Sequence, residues 1–149
     1  MTKQVSGAQW EAWEEHWRRG IVCFNQGQFW EAHHGWEKDW NWLPSPAKEE
    51  VQALILSCGV FYHLQKGRPA PALALCLLAQ ERWREGALRR ASGVGVQPRI
   101  DVPGIRALID RIRSGLAESA GAQGGDPASV WVEKWQSLAE ALRATLVKE

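Results

Sequence analysis

The sequence predicts an all-α protein, a compact bundle of about six helices around a central apolar helix at about 46–66. Three observations predict it. Prolines at 44, 46, 69, 71, 98, 103 and 127 punctuate the chain and leave long proline-free segments between them, and a proline ring inside a helix removes a hydrogen bond and clashes with the preceding turn. Those segments space their apolar residues at the helical period, and none sustains the alternation of Val, Ile and Thr that a strand requires. The chain has 149 residues, 45% hydrophobic and 23% charged, which is one domain's worth and enough to bury a core without disulfide or metal staples.

Each element has its own start or stop signal. A first helix at about 7–25 ends in Asn25-Gln26-Gly27, which suits a left-handed C-cap and a tight turn into a second helix at about 28–42. Ser45-Pro46 reads as an N-cap followed by proline in the first helical position, opening the third helix, which Gly67 stops. A fourth helix follows at about 69–91, then a glycine-containing loop at 91–100 and a fifth helix at about 102–119 capped by Asp101. The stretch 120–126, GAQGGDP, has the composition of a flexible linker, and Asp126-Pro127 opens a C-terminal helix at about 127–147. Residues 1–149 are thus expected to form a single helical domain.

Charge and cysteine content exclude several function classes. Eighteen Lys and Arg stand against seventeen Asp and Glu, so no whole-molecule attraction to nucleic acid is expected. Eight arginines cluster between 82 and 113, while residues 1–50 carry five basic and eight acidic side chains. No aromatic platform interleaves those arginines, so they read first as solvated helix faces, with a weak surface for an anionic partner as the alternative. The longest apolar run, near 51–64, is interrupted by Gln52, Ser57 and His63, so no membrane partner is expected. Cys23, Cys58 and Cys76 are odd in number and far apart, with no C-x-x-C, and read as reduced thiols in a cytoplasmic protein.

Ten tryptophans are the compositional outlier, seven of them within the first 42 residues. Trp10, Trp13 and Trp17 recur at i, i+3 and i+7 on the first helix, which suits core packing or, alternatively, a seam between copies in a homo-oligomer. His16, between Glu15 and Trp17, is expected to be exposed. On the second helix Phe29, Ala32, His33, Trp36, Trp40 and Leu43 share one face, which should pack on the third.

That face carries the candidate site. His33 lies inside the apolar stripe and Glu37 at its edge, while Gln52, Leu56, Gly59 and His63 line one stripe of the third helix at i, i+4, i+7 and i+11. A helix-interior glycine costs about 1 kcal/mol, so Gly59 points to a space requirement. If the stripes face each other, His33, Glu37, Gln52 and His63 converge on a buried polar pocket, where unpaired groups would each cost about 1–3 kcal/mol.

Three readings of the pocket stay open: a hydrogen-bond network that fixes helix register, a site for one divalent metal ion, or a cavity for an unidentified small molecule with Glu37 or a histidine as acid or base. Glu31-Ala32-His33-His34 contains one Glu-x-x-His, but the second copy that a di-iron bundle needs is missing, because Val60 precedes His63 by three and Trp13 precedes His16 by three. H-E-x-x-H is missing too. Adjacent His33 and His34 point about a hundred degrees apart on a regular helix, which argues against their sharing an ion. A mononuclear site of His33, Glu37 and His63 is the metal geometry left. The competing reading is a non-catalytic interaction or scaffold module acting through the Trp-rich first helix or the C-terminal one, with the His/Glu cluster purely structural.

The segment 24–40, FNQGQFWEAHHGWEKDW, resembles the domain-of-unknown-function 309 family, whose signature is similar to F-N-x-G-x-[FY]-[FW]-E-A-H-E-x-[LW]-E-x-x-W. Phe24, Asn25, Gly27, Phe29, Trp30, Glu31, Ala32, His33, Glu37 and Trp40 match it, and Gln52, Leu54, Ile55, His63, Leu64 and Gly67 match the apolar helix that follows. Asp101-Val102 looks like a later element, so the resemblance spans about 10–118. His34, Leu56 and Arg68 depart from the glutamate, glutamine and asparagine usual there. The resemblance implies a compact helical bundle, draws attention to Glu31, His33, Glu37 and His63, and supplies no reaction.

Overall fold

A computed structural model describes residues 6–92 and 103–121, folded as five helices with no strand among the described residues. They are α1 (Gly7–Asn25), α2 (Phe29–Trp40), α3 (Ala47–Gln65), α4 (Pro69–Ala91) and α5 (Pro103–Gly121). Each packs chiefly on its neighbour in the chain: α1 on α2, α2 on α3, α3 on α4, α4 on α5. The expected helix at 127–147, most of the linker before it and the Asp101 cap lie outside the described residues.

Two glycines make the turns. Gly27 and Gly67 have φ of +77° and +69°, a region that costs a residue with a Cβ about 1–2 kcal/mol. At the end of α1 the Gly27 N–H donates to Phe24 O (3.0 Å) and the Gln28 N–H to Cys23 O (2.8 Å). The end of α3 repeats the pattern, with Gly67 donating to Leu64 O (3.1 Å) and Arg68 to His63 O (2.8 Å). Both are Schellman caps, which satisfy the last carbonyls and reverse the chain. Ser6 caps α1 in a reciprocal capping box with Gln9.

The start of α3 differs from expectation. Pro46, not Ser45, occupies the cap position. The Ser45 hydroxyl donates to Glu49 Oε1 at 2.6 Å instead of accepting from the backbone. Glu49 is buried and needs donors, which outweighs the local capping preference of serine.

The apolar third helix is central as predicted, with Val51, Ala53, Leu54, Cys58, Val60 and Phe61 buried between α2 and α4. Trp13 is buried, and Trp10 and Trp17 pack against the core. Trp17 stacks on Trp36 of α2 with centroids 5.2 Å apart, and Trp10 meets Trp42 edge to face at 5.7 Å. These three tryptophans therefore work inside the protomer. Their aromatic partners are Trp36 of α2 and Trp42 just beyond its end. α5 closes the bundle with Ile105, Leu108, Ile109, Ile112 and Leu116 buried along one stripe.

Acids at the head of α3 are clamped to the tail of α4. Arg90 Nε donates to Glu50 Oε2 at 2.8 Å, its guanidinium also bonds Oε1, and Arg89 Nε lies 3.3 Å from Glu49 Oε1. Arg82 pairs with Glu81 and Glu85 at 3.2 and 2.9 Å. Much of the α4 arginine charge is thus met within the protein. No helix among the described residues is long and apolar enough to cross a membrane.

Candidate functional site

A cavity of ≈ 270 Å³ opens between α2, α3 and α4. Phe29, Trp30 and His33 line it from α2, Ile55 to His63 from α3, and Leu75 from α4. His33, Gly59 and His63 all line it. The wall is otherwise apolar or aromatic rather than polar. Gln52 is half-buried and not part of the lining, Glu31 is exposed, and the Glu37 side chain is 52% exposed. Gln52 and His63 share an angular stripe, but eleven residues separate them by about 16 Å along the axis, too far to meet in one small pocket.

Gly59 does answer a space requirement, at the point where it lines the cavity beside Leu75. A Cβ there would lie 2.7 Å from Leu75 Cδ1, so the missing side chain lets α4 pack onto α3. The cavity lies beside that contact.

The two imidazoles differ in what they bind. His33 Nδ1 lies 2.8 Å from the Trp30 carbonyl oxygen and Nε2 lies 3.0 Å from Glu37 Oε2. His63 Nδ1 is buried and has no hydrogen-bond partner. Trp30, 54% exposed, stands at the edge with its ring 4.9 Å from His33 and 5.6 Å from Tyr62. Cys58 also lines the cavity, and burial pushes its thiol far above the ordinary range. Burial likewise pushes the Cys76 thiol up to about 12, with Arg113 opposing the shift. Neither is a thiolate at neutral pH, so neither serves as a nucleophile.

Among the described residues, the His, Cys, Asp and Glu side chains that bring three ligand atoms within 4.8 Å of one another are His33, His34 and Glu37. His34 takes the place that the spacing argument gave to His63. The adjacent imidazoles meet because Glu37, one turn on, falls between them in angle and gives both a common neighbour.

One polar constellation escaped the sequence reading. His16 is half-buried, not exposed; its Nδ1 bonds Asp39 Oδ2, and Asp39 also accepts from Trp42 Nε1 at 2.9 Å. A signal existed: Asp39 follows Phe29, Ala32 and Trp36 in phase on the buried face of α2.

Fold and site together define a small all-helical protein with an imidazole-bearing aromatic pocket between antiparallel helices. The family model described as a domain of unknown function, DUF309, matches residues 17–75, so this part of the chain is similar to that family. Every residue lining the cavity falls within the matched segment. Comparisons with curated proteins and with solved structures give no match.

Proposed function

We propose that this is a ligand-binding helical domain whose α2–α3–α4 cavity takes a small aromatic molecule carrying one hydrogen-bonding group. The observation that carries the reading is His63 Nδ1, buried in the wall without a partner. An unsatisfied buried group costs about 1–3 kcal/mol, and a ligand toward which the imidazole turns its Nδ1 recovers that cost. The volume of ≈ 270 Å³ sits near the lower end of small-molecule pockets, at about 300 Å³, which favours one ring or two fused rings. Trp30 and Tyr62 supply rings for edge or face contact. The three unpaired thiols suit a reducing compartment such as the cytoplasm. An interaction role through the tryptophans of α1 has less support, since Trp13 is buried at 4% exposure.

Indole and phenol are the probes, titrated by calorimetry and by amide chemical shifts. Saturable binding is expected in the wild type, with shifts centred on residues 55–63. His63→Leu should lose that binding while its melting temperature holds or rises, because an apolar side chain suits the apolar wall better. No binding of either probe, together with a melting temperature lowered by His63→Leu, would make the imidazole a structural element and end the proposal.

A further inference from the structure

The outer turns of α2 carry a second site, which stands independently of any organic ligand in the cavity. The geometry points to a transition-metal dication held by His33 Nε2, Glu37 and His34.

Proton bookkeeping at His33 gives the first reason. The Trp30 carbonyl oxygen, 2.8 Å from Nδ1, can only accept, so Nδ1 carries the proton. In the neutral ring Nε2 then presents a lone pair, and 3.0 Å away it faces Glu37 Oε2, which is also an acceptor. Two lone pairs at that distance repel unless a positive charge lies between them. A proton on Nε2 supplies one such charge, and a metal ion supplies another.

A separation of 3.0 Å is the ordinary length of a hydrogen bond from a protonated Nε2, and it also fits two donors on one ion. Metal bonds to imidazole nitrogen and carboxylate oxygen are about 2.1 Å, so two donors 3.0 Å apart subtend about 90° at the ion, which is a cis edge of an octahedron. Nδ1–H bonded to a backbone carbonyl is also the usual outer-shell restraint on a metal-binding imidazole, since it fixes tautomer and ring orientation. His34 completes the set, with ligand atoms of all three residues within 4.8 Å of one another. At about a hundred degrees per residue, Glu37 falls about 40° from His33 and about 60° from His34, so the carboxylate stands between the two imidazoles. His34 is exposed and in ring contact with Trp30 and His33, and since two metal bonds of about 2.1 Å span at most about 4.2 Å, its ring turns inward to bind.

Two imidazoles and a carboxylate select zinc, nickel, iron or copper over magnesium or calcium, which take oxygen ligands. Three protein ligands from one helix face leave the remaining coordination positions to water or substrate. His33 also lines the cavity, so the ion would sit at its edge.

Calorimetric titration of the full-length, tag-free protein with zinc chloride tests the assignment, with magnesium chloride as the control. One zinc per chain is expected at this site and no magnesium. His34→Ala and Glu37→Gln should each weaken zinc by about tenfold or more, the scale on which even outer-shell changes act, without changing the helical circular dichroism of the metal-free protein. His34→Glu, which restores a ligand atom, should keep the affinity within a few-fold. His63→Leu should leave zinc untouched, which separates this site from the indole pocket. Zinc affinity unchanged by either His34→Ala or Glu37→Gln, or no zinc binding at all, overturns the assignment.

Discussion

Gly20 sits in the middle of α1, where glycine is a poor helix former. A Cβ there would lie 2.1 Å from Trp36 Nε1 and 2.4 Å from Cε2. The indole is rigid and fully buried, stacked on Trp17 and beside Phe24, with its N–H donating to Trp17 O at 3.3 Å. It cannot give way without disturbing its neighbours. Gly20→Ala should therefore destabilise the protein by about 1–3 kcal/mol, the usual range for overpacking, although alanine is the better helix former. Urea unfolding measures this, and a neutral or stabilising result would mean that α1 and α2 do not approach as described. At this scale the sequence was partly legible. The stripe Phe29, Ala32, Trp36 was read correctly, because spacing alone sets which face a residue occupies. The pairings His16–Asp39 and Glu50–Arg90 were not, because each joins residues from different helices, and such contacts depend on axial offset rather than angle.

Among the elements, the turns are the most predictable features. Asn25-Gln26-Gly27 and Gly67 were expected as helix stops, and both glycines adopt positive φ in Schellman caps. At Gly27 the nearest atom to an added Cβ is Gln65 Nε2 at 3.7 Å, so space is not the obstacle. Gly27→Ala should cost about 1–2 kcal/mol purely through backbone conformation, and thermal unfolding should show it with helical content intact. The bounds of the first five helices were legible to within a few residues, because proline, glycine and caps act on their own neighbourhood. The cap of α3 was not, since the demand of buried Glu49 for a donor is set by tertiary burial. The candidate site failed along the same line. His33, Gly59 and His63 line one cavity, and the axial offset of Gln52 keeps it away.

At the level of the whole molecule, the ties between α3 and α4 matter most. Glu50 is 2% exposed and meets Arg90 in a two-pronged contact. Arg90→Ala leaves that carboxylate buried without its counter-charge, a change that typically costs about 3–5 kcal/mol. A fall in the urea midpoint with an unchanged m-value would report it, whereas a loss below about 1 kcal/mol would class the pair with ordinary surface ion pairs. Replacing both partners together by apolar residues should recover most of the loss, because the penalty lies in the orphaned charge more than in the missing bond.

The indole stack between the first two helices has an optical consequence. Trp17 and Trp36 lie face to face at 5.2 Å with planes 28° apart, close and skewed enough for their electronic transitions to mix. The folded protein should carry a split circular dichroism band in the indole region, set by that mutual orientation. That band changes once α1 swings away from α2, even with every helix intact, since only the Trp13–Trp17 pair within α1, 5.5 Å apart, then remains. The chain thus contains its own gauge of α1 docking, readable without any label.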